Sequence, residues 1–338
     1  AIRARGLPTA LVSDERLSMS TLKQVRRAVG SFPDSEVHVV VTVRDLGRIA
    51  VSAWQEDVKS DETWTWQQFA AAIKDPQQIA KAPARGFWLR QDGPKICETW
   101  EAGVGAPRVH VVTVPQPGAS PDELVKRLAA VVGFDAALLT EPAAWTNETV
   151  GVAATEVIRR VNERLAGRLN QREHDRVIKN TLVPMLAGRT EPVRFGLPEE
   201  DVEWASRRAD EMIAALRDRG YPVEGDLDEL RVEFRSGSRR PDDPSDAELL
   251  DASVDALTLL AEEYATSWWV RRKATIEADL GAPDLASKAR GAVFRSQRKA
   301  AELADRSSLA ARAVASVLKA RDRSRVKARD KAQQADAE

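Results

Sequence analysis

The chain has 338 residues, of which 43% are hydrophobic and 30% charged, and its formal net charge is −1 at pH 7. This length and composition predict a soluble globular protein with ample sequence for a core. No apolar run reaches the roughly eighteen residues of a membrane span and no secretory signal opens the sequence, so we expect a cytoplasmic protein. Cys97 is the single cysteine and the three histidines are scattered, which excludes an intrachain disulfide and predicts no metal site.

Charge is distributed unevenly along the chain. Residues 287–331 contain fourteen Lys or Arg and four Asp or Glu, a local balance of +10, so the remainder carries about −11. Three interpretations of this basic segment are open: a solvated helix, a weak contact with nucleic acid or anionic lipid, or an element that binds a protein partner. The solvated helix is the favoured interpretation.

The first elements form a predicted strand–helix–strand unit. Thr9 to Ser13 is expected to be a short strand, followed by a polar loop that contains Glu15. A helix comes next, because Thr21 and Gln24 can form a capping box. Val37 to Val43 is a nearly continuous β-branched run, which is typical of a strand buried on both faces in a parallel sheet. Glu15 therefore lies at the carboxyl end of the first predicted strand.

A polar turn joins the second strand to a helix. Arg44 and Asp45 follow Val43, and Asp45 is a suitable N-cap. The helix is predicted from its apolar stripe, Leu46, Ile49, Ala50, Ala53 and Trp54. Ser52 lies on this helix, eight residues after Arg44. Ligands of open α/β sheets bind at the carboxyl ends of the strands. A guanidinium and a hydroxyl can both donate hydrogen bonds to phosphate oxygens, so Arg44 and Ser52 are candidate phosphate ligands. The alternative is an arginine paired with a carboxylate and a serine on an exposed face.

The stretch VTVRDLGRIAVSAWQ resembles the 3′-phosphate-binding motif of sulfotransferases, which use 3′-phosphoadenosine 5′-phosphosulfate (PAPS) as sulfuryl donor. The similarity extends over about residues 8–230, and RVHVVTVP-x-P-G-A is closest to a divergent bacterial, particularly actinobacterial, group. It implies a three-layer α/β fold with a parallel, P-loop-like sheet. It also implies that Arg44 and Ser52 bind the 3′-phosphate and that Glu15 is a candidate catalytic base. The acceptor of the sulfuryl group would be a hydroxyl or an amine, and the reaction would need no metal ion.

The sequence departs from that family at its phosphosulfate-binding loop. No Lys-x-Gly-Thr-Thr or Walker A pattern is present, so we expect an N-terminally incomplete fold, either a fragment or a degenerate copy. One alternative function is a non-catalytic, sulfotransferase-like scaffold that acts through its helical basic tail. Another is a nucleotide kinase of similar topology, which also needs a phosphate loop. Glu15 has an alternative role as well, since Asp14 or Glu15 can simply cap the turn or pair with Arg16.

Further elements are predicted along the chain. They are a helix at Thr63–Ile73 with core aromatic residues, an ambiguous segment at Phe87–Trp100, a strand at Arg108–Val114, and helices at Pro121–Val132, Val152–Leu165 and Pro198–Arg217. We expect residues 1–232 to form the α/β domain, 233–246 a linker, 247–331 a helical extension ending in a basic helix, and 332–338 a disordered tail.

Several polar residues are predicted to have secondary roles. Asn147 is expected to cap a helix, and Arg159 and Arg160 either approach the cofactor or face solvent. Arg189 and Arg194 lie in a loop near the place of the family's second phosphate-binding motif, but they match that motif poorly. His38 and His110 are expected to be hydrogen-bonded strand histidines without a catalytic role.

Overall fold

The computed structural model describes residues 9–139, 150–189, 196–233 and 239–279. The chain divides into two compact units, residues 1–260 and 261–338. Asn147, Arg194 and the basic segment 287–331 lie outside the described residues. Within the described ranges, every helix is too short or too polar to span a membrane.

Three parallel strands form the sheet, in the order β1-β2-β3. Strand β1 is Val39–Val43, β2 is Val109–Thr113 and β3 is Val223–Glu224. Val39 to Val43 pair with Val109 to Thr113 in sequence, and Val111 pairs with Val223. Two neighbouring parallel strands must be joined by a long crossover segment, and both of the segments that join these strands contain helices. The predicted α/β class is therefore confirmed, with a small sheet in a mostly helical chain.

Helices make up most of the described chain. Their bounds are α1 Leu22–Gly30, α2 Leu46–Lys59, α3 Trp66–Lys74, α4 Ala84–Gln91, α5 Gly93–Val104, α6 Glu123–Val132, α7 Val152–Leu165, α8 Gln171–His174, α9 Val183–Ala187, α10 Glu199–Arg219 and α11 Asp246–Asp279. A π-helical segment, Asp175–Leu182, joins α8 to α9, and short 3₁₀ turns occupy Glu15–Met19, Ala106–Arg108, Ala136–Leu138 and Leu227–Leu230.

Helix ends follow the local capping signals in the sequence. The Gln24 backbone N–H donates to the Thr21 hydroxyl, and the Thr21 N–H donates to the Gln24 side chain at 2.8 Å, so the predicted capping box is confirmed. Gly133 ends α6 with φ of 79°, the left-handed conformation that glycine adopts easily. The ambiguous segment Phe87–Trp100 contains parts of two helices, because Asp92 ends α4 and caps α5 while Pro94 occupies the first turn of α5.

One face of the sheet is covered by helices. Val41, Val43, Val109 and Val111 alternate along β1 and β2 and pack against side chains of α1, α5 and α10, including Val25, Cys97, Trp100 and Leu216. Helix α1 approaches α5 closely at Gly103, where an added Cβ would lie 2.5 Å from Val25. This contact holds α1 against α5, the helix that packs on β1 and β2.

A second core lies among the helices. The rings of Trp54, Trp66, Phe69 and Phe87 are buried and follow one another at centroid distances of 6.1, 5.9 and 5.7 Å. Edge-on and tilted pairs of this kind add to the stabilisation from burial. The predicted core role of Trp66 and Phe69 is confirmed, and this core holds α2 in place beside the sheet.

The strand predicted at Thr9–Ser13 is wrong. Residues 9–13 form no strand and are exposed, with Leu11 and Val12 each 57% accessible. A strand is stabilised by hydrogen bonds to a neighbour and by burial of its apolar side chains, and residues 9–13 have neither. The apolar run Ala10–Val12 is too short to identify a strand without a partner.

Residues 239–245 of the predicted linker are held by polar contacts. The Arg239 guanidinium donates to the Glu248 carboxylate at 2.6 Å, and Arg240 donates to Glu200 at 2.9 Å. The Gln67 N–H donates to Asp242. These contacts tie this stretch to α3, α10 and the start of α11.

Candidate functional site

The carboxyl ends of the three strands define the candidate site. Arg44 follows β1, Val114 follows β2 and Gly225 follows β3. In open α/β sheets this edge is where ligands bind.

Arg44 is a half-buried cation at the end of β1. Its Nε atom is buried and has no hydrogen-bond partner among the described residues, and no described carboxylate forms an ion pair with its guanidinium. Burial lowers the pKa of Arg44, the charge of Arg48 lowers it further, and Asp45 opposes the shift. A buried N–H without an acceptor is costly, so an anion that accepts a hydrogen bond from the Nε atom would be stabilised here.

Asp45 and Arg48 connect the start of α2 to the end of β2. The Arg48 N–H donates to the Asp45 carboxylate at 2.9 Å, which confirms the predicted N-cap, and the two side chains form an ion pair. Arg48 Nη1 also donates to the Pro115 carbonyl at 3.0 Å. Arg48 therefore has its partners within the protein, unlike Arg44.

Ser52 lies one turn beyond Arg48 on α2. Its hydroxyl is exposed and donates to the Ile49 carbonyl at 3.2 Å. Arg48 and Ser52 are four residues apart on α2 and so lie on one side of the helix, whereas Arg44 precedes the N-cap Asp45. The structure therefore places the predicted pair at the predicted strand end and helix.

Glu15 does not follow a strand. It begins the 3₁₀ turn Glu15–Met19 and is exposed. Asp14 caps this turn by accepting from the Arg16 N–H at 3.0 Å, and its carboxylate pairs with the Arg16 guanidinium at 2.6 Å. The capping alternative is confirmed for Asp14, and the strand expected to position Glu15 at the sheet edge is absent from residues 9–13.

A second polar network at the strand ends was missed by the sequence analysis. Arg127 of α6 donates to the Thr113 carbonyl at 2.9 Å and binds the Glu229 carboxylate through both terminal nitrogens. These bonds, aided by the Thr113 hydroxyl, lower the pKa of Glu229 to about 2. Gln116 adds a bond to the Glu229 carbonyl at 2.6 Å. The only local signal was the polar Thr113 at the end of a β-branched run.

The other arginines considered as cofactor ligands have partners within the protein. Arg159 is buried and binds Glu156 through two nitrogens, at 2.7 and 2.8 Å, and Arg160 donates to the same carboxylate. Arg189 binds Asp251 of α11 at 2.8 Å. These guanidinium groups therefore form ion pairs within the protein.

His110 lies in β2 as predicted, but His38 immediately precedes β1 and is not a strand residue. The two rings form a pair. His38 Nδ1 lies 2.8 Å from His110 Nε2, and His38 Nε2 lies 3.4 Å from the Glu36 carboxylate. The prediction that both rings are hydrogen-bonded is confirmed. Across the described ranges, no three His, Cys, Asp or Glu side chains are placed to bind a metal ion. Burial raises the pKa of the Cys97 thiol to about 12, so this thiol is unreactive at neutral pH.

A carboxyl with a shifted pKa lies further along α2. Burial raises the pKa of Asp57 from 3.8 to about 6, the Arg90 guanidinium 3.3 Å away opposes the shift, and the charges of Glu62 and Glu56 add to it. The folded state thus holds this proton more tightly than the unfolded state. Asp57 therefore contributes to the free energy of unfolding below about pH 4, and this contribution is lost as the pH rises from about 4 to about 6.

Asp57→Asn is therefore expected to raise the free energy of unfolding at pH 7 by up to about 3 kcal/mol, and to leave it nearly unchanged at pH 4. Urea denaturation at the two pH values measures the difference. A variant less stable than the parent at pH 7 would mean that the ion pair with Arg90 outweighs the cost of burial.

Comparison with known proteins found no match to any family model, any curated protein or any solved structure.

Proposed function

We propose that the chain is a PAPS-dependent sulfotransferase whose donor site is the turn between β1 and α2. The observation that carries this proposal is the Arg44 guanidinium, half-buried at a strand end with its Nε atom unpartnered among the described residues. A phosphate would supply the missing acceptors, because guanidinium groups bind phosphate oxygens through paired hydrogen bonds.

The neighbouring groups are compatible with a phosphate. Asp45, the carboxylate nearest in sequence, is ion-paired with Arg48, so its repulsion of an anion is reduced. The Ser52 hydroxyl can exchange its bond with the Ile49 carbonyl for one with a phosphate oxygen. In this proposal Arg44 and Ser52 bind the 3′-phosphate, and no metal takes part.

The transfer step is proposed from the family resemblance. The acceptor, an unidentified hydroxyl or amine, would form a bond to the sulfur of PAPS while the bond from sulfur to the donor's 5′-phosphate oxygen breaks. Adenosine 3′,5′-bisphosphate would leave, and Glu15 would be the base that takes the acceptor proton. The fold would be the P-loop-like, three-layer parallel sheet of sulfotransferases, and the protein would act in the cytoplasm. Positioning and charge stabilisation dominate such transfers, and a phosphosulfate loop normally supplies much of both.

A second candidate function is a non-catalytic scaffold with a sulfotransferase-like body. The observation that favours it is the exposed apolar surface of α11, where Leu250 and Leu257 are 67% and 68% accessible. Exposed apolar patches of this kind mark protein interaction sites. In this function the basic segment 287–331 would add weak contacts with nucleic acid, anionic lipid or protein.

Titration calorimetry with adenosine 3′,5′-bisphosphate tests the donor site. Arg44→Ala is expected to weaken binding by about 10- to 100-fold, because it removes a charge-assisted interaction worth about 1.5–3 kcal/mol. Binding of adenosine 5′-monophosphate, which lacks the 3′-phosphate, should not change.

Arg90→Ala is the matched control, since it removes an equally charged side chain from α4. It should leave the affinity for the bisphosphate unchanged. The donor assignment would be overturned if the parent chain binds both nucleotides equally, or if the two arginine variants weaken binding alike.

A further inference from the structure

Helix α11 presents apolar side chains on two sides. One set, Leu249, Ala252 and Ala256, is buried, and the first two pack against Ala153 and Val157 of α7. The other set is exposed: Leu250 is 67%, Val254 51% and Leu257 68% accessible. A surface helix that packs only on its own domain needs a single apolar stripe. The exposed set, which we call the α11 seam, therefore needs a separate explanation.

The spacing of the seam is that of a coiled coil. Its members follow at intervals of four and three residues, and Ala261, Tyr264 and Trp268 continue the same alternation in the sequence. This 3.5-residue period keeps one stripe facing a partner helix in a left-handed supercoil.

We propose that the α11 seam is a dimer interface that pairs with the same seam of a second copy of this chain. Ser253 and Thr258 flank Val254 and Leu257, so two identical helices meet there without like charges. Asp251, which flanks Leu250, is ion-paired with Arg189, and that pairing reduces its repulsion of a second copy.

The charges around the seam disfavour the other partners considered. Asp251, Asp255, Glu262 and Glu263 are all acidic residues of α11. A nucleic acid or an anionic membrane would be repelled by this helix rather than attracted. A partner of the seam should therefore present an uncharged, apolar helical surface, and the seam of a second α11 is such a surface. The first half of α11 is already held on α7, so less ordering entropy is lost on pairing.

Light scattering on the full chain over a range of protein concentrations tests the proposal. We expect a mass that rises with concentration toward twice 37.2 kDa. Leu257→Lys should shift the chain to the monomer, because it places a charge in the seam. Leu138→Lys is the matched control, since Leu138 is 73% exposed and lies outside α11, and it should leave the dimer intact.

Protection of an introduced thiol provides a second measurement. Cys97 is buried, so in a Leu257→Cys variant the new thiol is the one accessible to a thiol reagent. Its labelling should slow as dimer forms at increasing concentration. A monomeric chain with rapid labelling overturns the proposal. A monomeric chain whose thiol is protected at every concentration also overturns it, because residues 280–338 of the same chain would then be the occupant.

Discussion

Replacement of Asp201 by alanine is expected to lower the free energy of unfolding by about 2–4 kcal/mol, because it leaves the half-buried Lys74 ammonium and the buried Trp66 indole N–H without their acceptor. Asp201 is 3% exposed in the first turn of α10. Its carboxylate accepts from the Trp66 indole at 2.9 Å and pairs with the Lys74 ammonium. The carboxylate therefore links α10 to both ends of α3.

Urea denaturation of the parent and variant chains measures this effect. Glu200→Ala is the matched control, since Glu200 is the adjacent carboxylate and pairs with Arg240 at the surface, where such pairs contribute less than about 1 kcal/mol. Combining Asp201→Ala with Lys74→Met should recover part of the loss, because the unpaired cation is then absent. A loss for Asp201→Ala no greater than that of the control would contradict the role of this pair.

Local patterns in the sequence were sufficient to predict much of the fold. Helix α7 begins and ends at the predicted residues, Val152 and Leu165, because its apolar positions repeat at the helical period. Strand β2 lies within the predicted run Arg108–Val114 for an equally local reason, the density of β-branched residues. The predicted strand at Thr9–Ser13 failed because strand formation depends on a neighbour that a local pattern does not contain.

The candidate site was predictable only where it depends on residues close together in the sequence. The position of Arg44 at a strand end and the cap at Asp45 follow from a single strand–helix turn. The bond from Arg48 to the Pro115 carbonyl spans 67 residues, and the pair between Arg127 and Glu229 spans 102. No periodicity relates such distant residues, so these contacts appear only once the three strands are aligned.

These distant contacts distinguish Arg44 from the other cations at the strand ends. Arg48 and Arg127 each donate to the backbone after or at the end of β2 and each has a carboxylate partner. They therefore hold the sheet edge together. Arg44 has no such partner among the described residues, which is why we propose it, rather than either neighbour, as the group that binds an anion.

Gly225→Ala is expected to lower the free energy of unfolding by about 4 kcal/mol, for two reasons that act together. Gly225 has φ of 100°, a conformation that residues with a Cβ rarely adopt. An added Cβ would also lie 2.5 Å from Arg127 Nη1 and in contact with the Thr113 hydroxyl. The variant must therefore distort the turn after β3 and displace the guanidinium from Glu229.

Gly220→Ala separates these two causes. Gly220 ends α10 with φ of 64°, but an added Cβ there would meet no atom within 4 Å, so only the backbone strain of about 1 kcal/mol applies. Thermal and urea denaturation of both variants measure the difference. The Gly225→Ala loss should also shrink as the pH falls from about 4.5 toward about 2, because the unfolded chain then protonates Glu229 while the folded parent holds the pKa of this carboxyl at about 2. Equal losses for the two variants would show that the close approach of Arg127 does not contribute.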